Sequence, residues 1–209
     1  MQLPHNPFLI IISSPSGAGK SSLCKMMVER DNKIKLSIST TTRKPRPGEI
    51  EGKHYFFISQ EKYDEMVKNN EFLEYAHIFD NHYGTPKETV NNEIVNGNDV
   101  LFDIDWQGAR QLINRYGREN IVTIFILPPS IEELHQRLRN RASDSEEVVL
   151  KRMQMAKSEV SHYDEYDFIL INQDLETTYQ KINKIIDSNR IKRTNQIKAK
   201  EFINQLLQS

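Results

Sequence analysis

The stretch Ser14-Pro-Ser-Gly-Ala-Gly-Lys-Ser21 lies between the apolar run Phe8 to Ile12 and a helix-like segment from Lys20 to Arg30. A strand, a tight turn with Gly17 and Gly19, a lysine and then hydroxyls at Ser21 and Ser22 form the layout of a phosphate-binding loop. In such a loop backbone N–H groups and a helix N-terminus face a polyphosphate. Gly17 and Gly19 admit backbone conformations and close approaches that a Cβ obstructs, Lys20 can reach outer phosphates, and the Ser21 hydroxyl suits the shell of a Mg²⁺ ion. The full pattern G-x-x-x-x-G-K-[ST] begins with glycine, but Ser14 stands at that place, so φ there must stay negative. A glycine-rich turn that binds nothing is the plain alternative. A buried-strand pattern before the loop and Lys-Ser-Ser after it favour a site for nucleotide phosphates.

The 209 residues suffice for one sizeable core, and one domain with insertions suits this length better than two folds. With 28 basic and 29 acidic residues the formal net charge is -1, which gives no reason to expect a nucleic-acid or membrane partner. Any anion site must be local. The single cysteine, Cys24, has no partner for an internal disulfide, and among Leu23, Met26 and Met27 it reads as a small buried hydrophobe with no chemistry. No apolar run approaches the roughly 18 residues of a membrane span, and no signal-peptide layout is present, so the cytosol is the expected compartment. The six histidines are scattered without helical i,i+4 pairs, which gives zinc no support.

Near-continuous apolar runs at Phe8 to Ile12, Val100 to Ile104, Ile121 to Leu127 and Phe168 to Ile171 predict strands buried on both faces of a parallel sheet. Helical patterns at Leu23 to Arg30, Trp106 to Tyr116, Ile131 to Arg141 and Thr177 to Asn189 alternate with them. The class is therefore α/β, a doubly wound core with right-handed crossovers and ligands beyond the carboxyl ends of the strands.

Two segments break the alternation. Residues 37–97 hold a turn-rich stretch, strand patterns at His54 to Ile58 and Phe72 to Phe79, and helix patterns at Gln60 to Asn69 and Pro86 to Asn96, enough for a small α+β subdomain. Residues 129–165 carry Arg137, Arg139, Arg141 and Arg152 around a polar loop, with Ser143 or Ser145 as the next helix start, and read as a helical lid. Core segments are expected at about 6–36, 98–128 and 166–187, giving a domain over 6–187 and a tail over 188–209. The tail has apolar residues at Ile191, Ile197, Phe202, Ile203, Leu206 and Leu207 among basic ones. A helix packing that stripe onto the domain is expected ahead of one that meets an anionic surface.

Arg43 and Arg46 flank Pro45 and precede Pro47, so two guanidinium forks sit on a stiff loop near Tyr55 and Tyr83, an arrangement suited to a phosphate monoester. A solvated basic loop is the alternative. At Val100 to Asp105 an apolar strand ends in Asp103 and Asp105. An acid there can hold hydrated Mg²⁺ in a phosphate-loop enzyme, or it can cap the following helix. Asp103 is favoured for the metal and Asp105 for the cap or a substrate contact.

Together SPSGAGKSS, SISTTTRKPRPGEIEGKHYFF, EFLEYAHIFDNHYGT, LFDIDWQGARQ, FILPPSIEEL, RASDSEEVVLKRM and HYDEYDFILIN occur in the order and spacing of the guanylate kinases, and the chain resembles that family, most closely its bacterial, free-standing members. The resemblance implies a P-loop nucleoside monophosphate kinase, with a parallel sheet flanked by helices, an inserted GMP-binding α+β subdomain and a helical lid. It implies transfer of the ATP γ-phosphoryl group to GMP with Mg²⁺, and ATP and GMP as partners.

Carried over by position, Ser14, Pro15, Ser16, Gly17, Ala18, Gly19, Lys20, Ser21 and Ser22 would meet the ATP phosphates, Ser21 and Asp103 the metal, and Asn172 the adenine. Arg43, Arg46, Tyr55 and Tyr83 would hold the GMP phosphate, and Ser39, Glu74, Thr85 and Asp105 the guanine. Lys20, Arg43, Arg141 and Arg152 would be catalytic, with Arg139 the alternative to Arg141. In this scheme Glu74 accepts the guanine N1 and N2 hydrogens while the Ser39 and Thr85 hydroxyls donate to O6. Ser14, the pair Asn140 and Ala142 beside the first lid arginine, and Gln173 after Asn172 depart from the family pattern. Related domains also serve as peptide-binding scaffolds, but a scaffold has no need of Gly19, Lys20 and Ser21 or of lid arginines. A kinase for another monophosphate is separated by the base-facing residues.

Overall fold

A computed structural model describes residues 4–78, 80–139 and 146–208. In chain order the elements are β1 (Leu9–Ser13), α1 (Lys20–Arg30), β2 (Ile34–Leu36), β3 (Thr40–Thr41), β4 (Phe56–Phe57), α2 (Gln60–Lys68), β5 (Phe72–Ile78), β6 (Asn81–Pro86) and α3 (Lys87–Val95). They continue with β7 (Asp99–Asp103), α4 (Trp106–Tyr116), β8 (Ile121–Leu127), α5 (Ile131–Arg139), α6 (Glu146–Val160), β9 (Phe168–Ile171), α7 (Leu175–Arg190) and α8 (Ala199–Gln208).

The strand β1 is buried along its whole length and forms the centre of a parallel sheet of order β2-β7-β1-β8-β9. Because side chains alternate along a strand, β1 divides its residues between two cores. Ile10 and Ile12 pack with Leu23 and Met27 of α1 and Ile182 and Ile186 of α7. Leu9 and Ile11 pack with Val90 of α3 and Ala109 and Leu112 of α4. Covering helices on both faces explain why β1, β7 and β8 are apolar runs rather than alternating ones. Cys24 is buried in the first of these cores, where burial pushes its thiol pKa up.

A second sheet has the order β4-β3-β6-β5, with β3 parallel to β4 and β6 antiparallel to both β3 and β5. Its edge strand β5 is covered by α4, where the Gln111 amide accepts from Tyr75 N at 3.1 Å and donates to Tyr75 O at 2.7 Å. This side chain takes the place of a neighbouring strand. A small cluster of Leu134, Leu138, Ala156 and Met153 joins α5 to α6.

Several expectations need correction. The strands β2, β3 and β6 were not anticipated: two have only 3 and 2 residues, and β6 is polar and contains Gly84 and Pro86. The strand β9 was expected to be buried on both faces, but it forms an edge, and Phe168, Ile169 and Ile171 are exposed. The tail does form a helix, yet Ile191, Ile197, Phe202, Ile203, Leu206 and Leu207 are all exposed, so its apolar stripe is not buried on the domain. The boundary expected at 187 falls inside α7, and the helix start expected at Ser143 or Ser145 lies outside the described residues.

At the amino ends of the strands, opposite the phosphate loop, Asp99 is fully buried and receives Arg190 Nη2 at 2.8 Å, Arg190 Nε at 2.9 Å and His5 Nε2 at 3.0 Å. Arg190 also reaches Asp31 at 2.7 Å. Removing one partner leaves a buried charge uncompensated. Arg190→Leu is expected to cost about 3–5 kcal/mol in urea unfolding, and adding Asp99→Asn to it should restore part of that loss. An additive double mutant would show that the pair is not coupled.

Candidate active site

At the carboxyl end of β1 the chain turns through the glycine-bearing loop into α1. Gly19, with φ 97°, is the N-cap of α1, and no side chain caps that helix or places an acid in its first turn. By contrast Ser59, Asp105 and Asp174 cap α2, α4 and α7 through their side chains. The head of α1 therefore keeps backbone N–H groups and a positive dipole end for an outside anion. A Cβ on Gly19 would collide with the Asn172 amide, so close packing as well as backbone conformation requires glycine there. Among the described residues Asn70 is the one non-glycine with positive φ, so Ser14 meets the condition set by its lost glycine.

Lys20 Nζ pairs with Asp103 and donates to Ile104 O at 3.3 Å, and Ser13 Oγ donates to the same carbonyl at 2.8 Å. Burial alone would lower the Lys20 pKa, but the Asp103 carboxylate outweighs it and the ammonium is held above its ordinary range. Ser21 Oγ donates to Asp103 Oδ2 at 3.3 Å. Asp105 caps α4 by accepting from Gln107 N and Gly108 N, both at 3.1 Å, while still lining the cavity. Ser21 and Asp103 thus offer hard oxygen ligands side by side. Among the described residues no group of three or more His, Cys, Asp or Glu could hold a metal ion.

The loop opens onto a cavity of about 290 Å³. It is lined by Ser14, Pro15, Ser16, Gly17, Gly19, Lys20, Ser21, Ser22, Asp103, Ile104 and Asp105 from the core, by Ser39, Arg46, Tyr55, Glu74, Ala76, Ile78 and Tyr83 from residues 37–97, and by Arg152 and Glu159 of α6. Glu74 is buried, and burial pushes its carboxyl up to about 7, with Asp105 adding to the rise and Thr85 opposing it. Gly108 of α4 makes room for it: a Cβ there would stand 2.5 Å from Glu74 Oε2.

Not every expected residue faces this cavity. Thr85 lies behind Glu74 and, with that carboxylate ionised, donates to Oε1 at 2.5 Å; Ser39 Oγ then donates to Thr85 Oγ1 at 3.1 Å. The two hydroxyls form a chain that ends on the Glu74 carboxylate, and Ser39 also lines the cavity. Arg43 pairs with Glu49 at 2.8 Å and lies over Tyr55, 5.4 Å from the ring centroid, whereas Arg46 reaches the cavity. Asn172 sits under the loop, where its amide donates to Ala18 O at 2.7 Å, and its buried Oδ1 has no hydrogen-bond partner among the described residues. Arg141 lies outside the described residues. Sequence reasoning missed Glu49, Gly108 and Glu159. Glu49 accepts from the Arg46 N–H three residues earlier and from the Arg43 guanidinium six residues earlier, a local contact legible in the sequence; the other two depend on long-range packing.

Comparison with known proteins gives the family of the chain. The guanylate kinase family model matches residues 6–189. The chain belongs to the guanylate kinase family. It is 50% identical to a guanylate kinase of Paramagnetospirillum magneticum over 198 residues, covering 95% of this chain and 92% of that one. It is 54% identical to a guanylate kinase of Rickettsia felis over 192 residues, covering 92% and 99%. A crystal structure of guanylate kinase from Anaplasma phagocytophilum superposes with a TM-score of 0.81 at 34% identity, covering 97% of this chain and 96% of that chain. The α/β architecture of this guanylate kinase family member is that of a P-loop nucleoside monophosphate kinase.

Glu74 titrates near 7 when folded and near 4.5 when unfolded, so between those values the folded state binds more protons and stability falls as pH rises. Glu74→Gln lacks this dependence. Its stability relative to wild type should grow by on the order of 3 kcal/mol as pH is raised across the window, read from denaturant curves. Parallel pH profiles for the two proteins would contradict the raised pKa.

Proposed function

We propose that this protein transfers the γ-phosphoryl group of ATP to GMP, forming ADP and GDP. The observation that carries the reading is one cavity lined by a cation, an uncapped helix N-terminus and the buried Glu74 carboxylate. On this reading two nucleotides meet there with their phosphates together.

On this reading the ATP phosphates lie on the N–H groups of the loop, with Lys20 beside the outer ones. A GMP phosphate oxygen attacks the γ-phosphorus as the bond to the β–γ bridging oxygen breaks, and ADP carries away the leaving charge. No covalent enzyme intermediate is needed, because alignment, cations and exclusion of water suffice for phosphoryl transfer. Arg46 and the two tyrosines hold the acceptor phosphate, and Arg43 supports them through its fixed pairing with Glu49 and its stacking on Tyr55. Arg152, with Arg141 as its companion, meets the transferred group. Mg²⁺ held by Ser21 and Asp103 would supply charge neutralisation at the phosphates. Asn172 acts on ATP indirectly, by fastening the loop through Ala18 O.

Guanine is recognised by Glu74, whose carboxylate accepts from both N1–H and N2–H, with Thr85 and Ser39 setting its orientation. Adenine presents an acceptor at N1 and would leave the carboxylate desolvated and unpaired. No helix among the described residues is long and apolar enough to cross a membrane, and the substrates assigned here are small soluble nucleotides.

A coupled assay with ATP and each nucleoside monophosphate tests the assignment. Turnover should favour GMP over AMP by about 10² to 10⁴ in kcat/KM, and Glu74→Gln should lose ~10-fold or more for GMP with ATP affinity retained. Comparable wild-type rates for both monophosphates would remove guanine from the reading. Lys20→Met should remain folded and lose at least ~10²-fold in kcat, the worth of one preorganised cation at the transferred charge. Near-normal turnover by that variant would exclude Lys20 from the chemistry.

A further inference from the structure

Glu159 is a cavity-lining acid that the phosphoryl-transfer scheme leaves without a role. Its Oε2 accepts from the Ser16 N–H of the phosphate loop at 3.2 Å. A nucleotide phosphate needs acceptor places on the same loop, and two anions cannot share one N–H at this distance. Glu159 also stands one residue before the end of α6, where the negative end of the helix dipole disfavours a carboxylate. A residue placed against its local preference and half-buried toward a functional loop is better explained by the loop than by the helix.

Arg152 lies seven residues earlier on α6, two turns away, and lines the same cavity. One face of one helix therefore carries both the acid on the loop and the arginine assigned to the transferred phosphoryl group. We propose that Glu159 is a positioning residue that competes with ATP for the Ser16 N–H, so that seating the nucleotide displaces the carboxylate and shifts the α6 face that carries Arg152. The inference rests on the loop being the ATP phosphate site. It makes loop occupancy and arginine placement one equilibrium: the carboxylate-bound arrangement lowers apparent ATP affinity, and the energy of phosphate binding is partly used to move the helix.

The charged groups that act on Glu159 are Lys20 at the head of α1, which favours the carboxylate, and Asp105 at the head of α4, which disfavours it; Arg152 shares its helix face. Burial raises its pKa from the ordinary carboxylate value. A protonated Glu159 no longer opposes a phosphate, so lowering the pH through the weakly acidic range relieves the competition in wild type alone.

The test is calorimetric titration of the full chain with ATP and Mg²⁺, without GMP, for wild type, Glu159→Gln, Glu159→Ala and Lys20→Met. Both Glu159 variants should bind ATP about 5- to 10-fold more tightly than wild type near neutral pH, and the gap should close as pH falls. Equal or weaker binding by both variants, or a gap that does not change with pH, would overturn the competition. If instead wild type and Lys20→Met fail alike to bind ATP, the reading of the loop itself fails. Loss of binding in Lys20→Met alone keeps that reading and leaves the Glu159 comparison to decide.

Discussion

Backbone N–H groups at the start of a helix that no side chain caps are costly unless something else accepts from them, and the loop from Ser14 to Gly19 collects them at the end of the central strand. Much of the surrounding structure serves to keep that loop in place. Asn172 after β9 fastens the Ala18 carbonyl. Ser13 at the end of β1 and Lys20 at the start of α1 both donate to the Ile104 carbonyl after β7. Three strand ends of one parallel sheet thus fix the loop from different sides. The sheet can do so because β1 is buried on both faces and cannot shift without disturbing both cores. Preorganisation of this kind moves the ordering cost from the moment of reaction to the folding of the chain.

Four acids line the cavity, and their different partners separate their roles. Asp103 is paired with the Lys20 ammonium, Asp105 with the N–H groups of α4, and Glu159 with a loop N–H. Glu74 has Thr85 to offset its burial, and no cation among the described residues pairs with it. It is consequently the acid whose charge is most expensive in the folded protein, pushed up to about 7. A ligand bearing two N–H donors relieves that expense, whereas one bearing an acceptor cannot. On the proposed reading, selectivity for a donor edge follows from this buried carboxylate as much as from the shape of the cavity.

The core was legible because its signals are local. A strand buried on both faces has to be a continuous apolar run, and β1, β7 and β8 were readable within a residue or so. The phosphate loop was legible because its glycines, lysine and hydroxyls are consecutive. Reading failed where contacts are distant in sequence or where burial does not follow hydrophobicity. The apolar run of β9 was read as interior, but its position at the sheet edge leaves it exposed, and apolar sequence alone does not distinguish an edge from a centre. The short polar strands β3 and β6 are held by ladder hydrogen bonds and by Thr40 and Thr41 hydroxyls donating to the Gly84 and His82 carbonyls, none of which a hydrophobic period records. Thr85 was read as a base-facing residue and not as the support of Glu74, because the two lie 11 positions apart and only strand pairing brings them together.

The placement of Glu74 joins the two sheets. Glu74 belongs to β5 of the small sheet, yet the space for its carboxylate is provided by Gly108 of α4, and the adjacent Tyr75 backbone is held by Gln111 one turn further along that helix. Asp105, at the head of the same helix, raises the cost of the Glu74 charge. The same helix therefore supplies the room, the register and part of the electrostatic tension. The two hydrogen bonds from Gln111 contribute about 1 kcal/mol each and fix the register, while Leu73 of β5 packs with Ala109 and Leu112 of α4. Drawing the small sheet from α4 would expose Glu74 to water and remove the burial that raises its pKa. The pKa of Glu74 and the seating of the small sheet on α4 are in this way coupled.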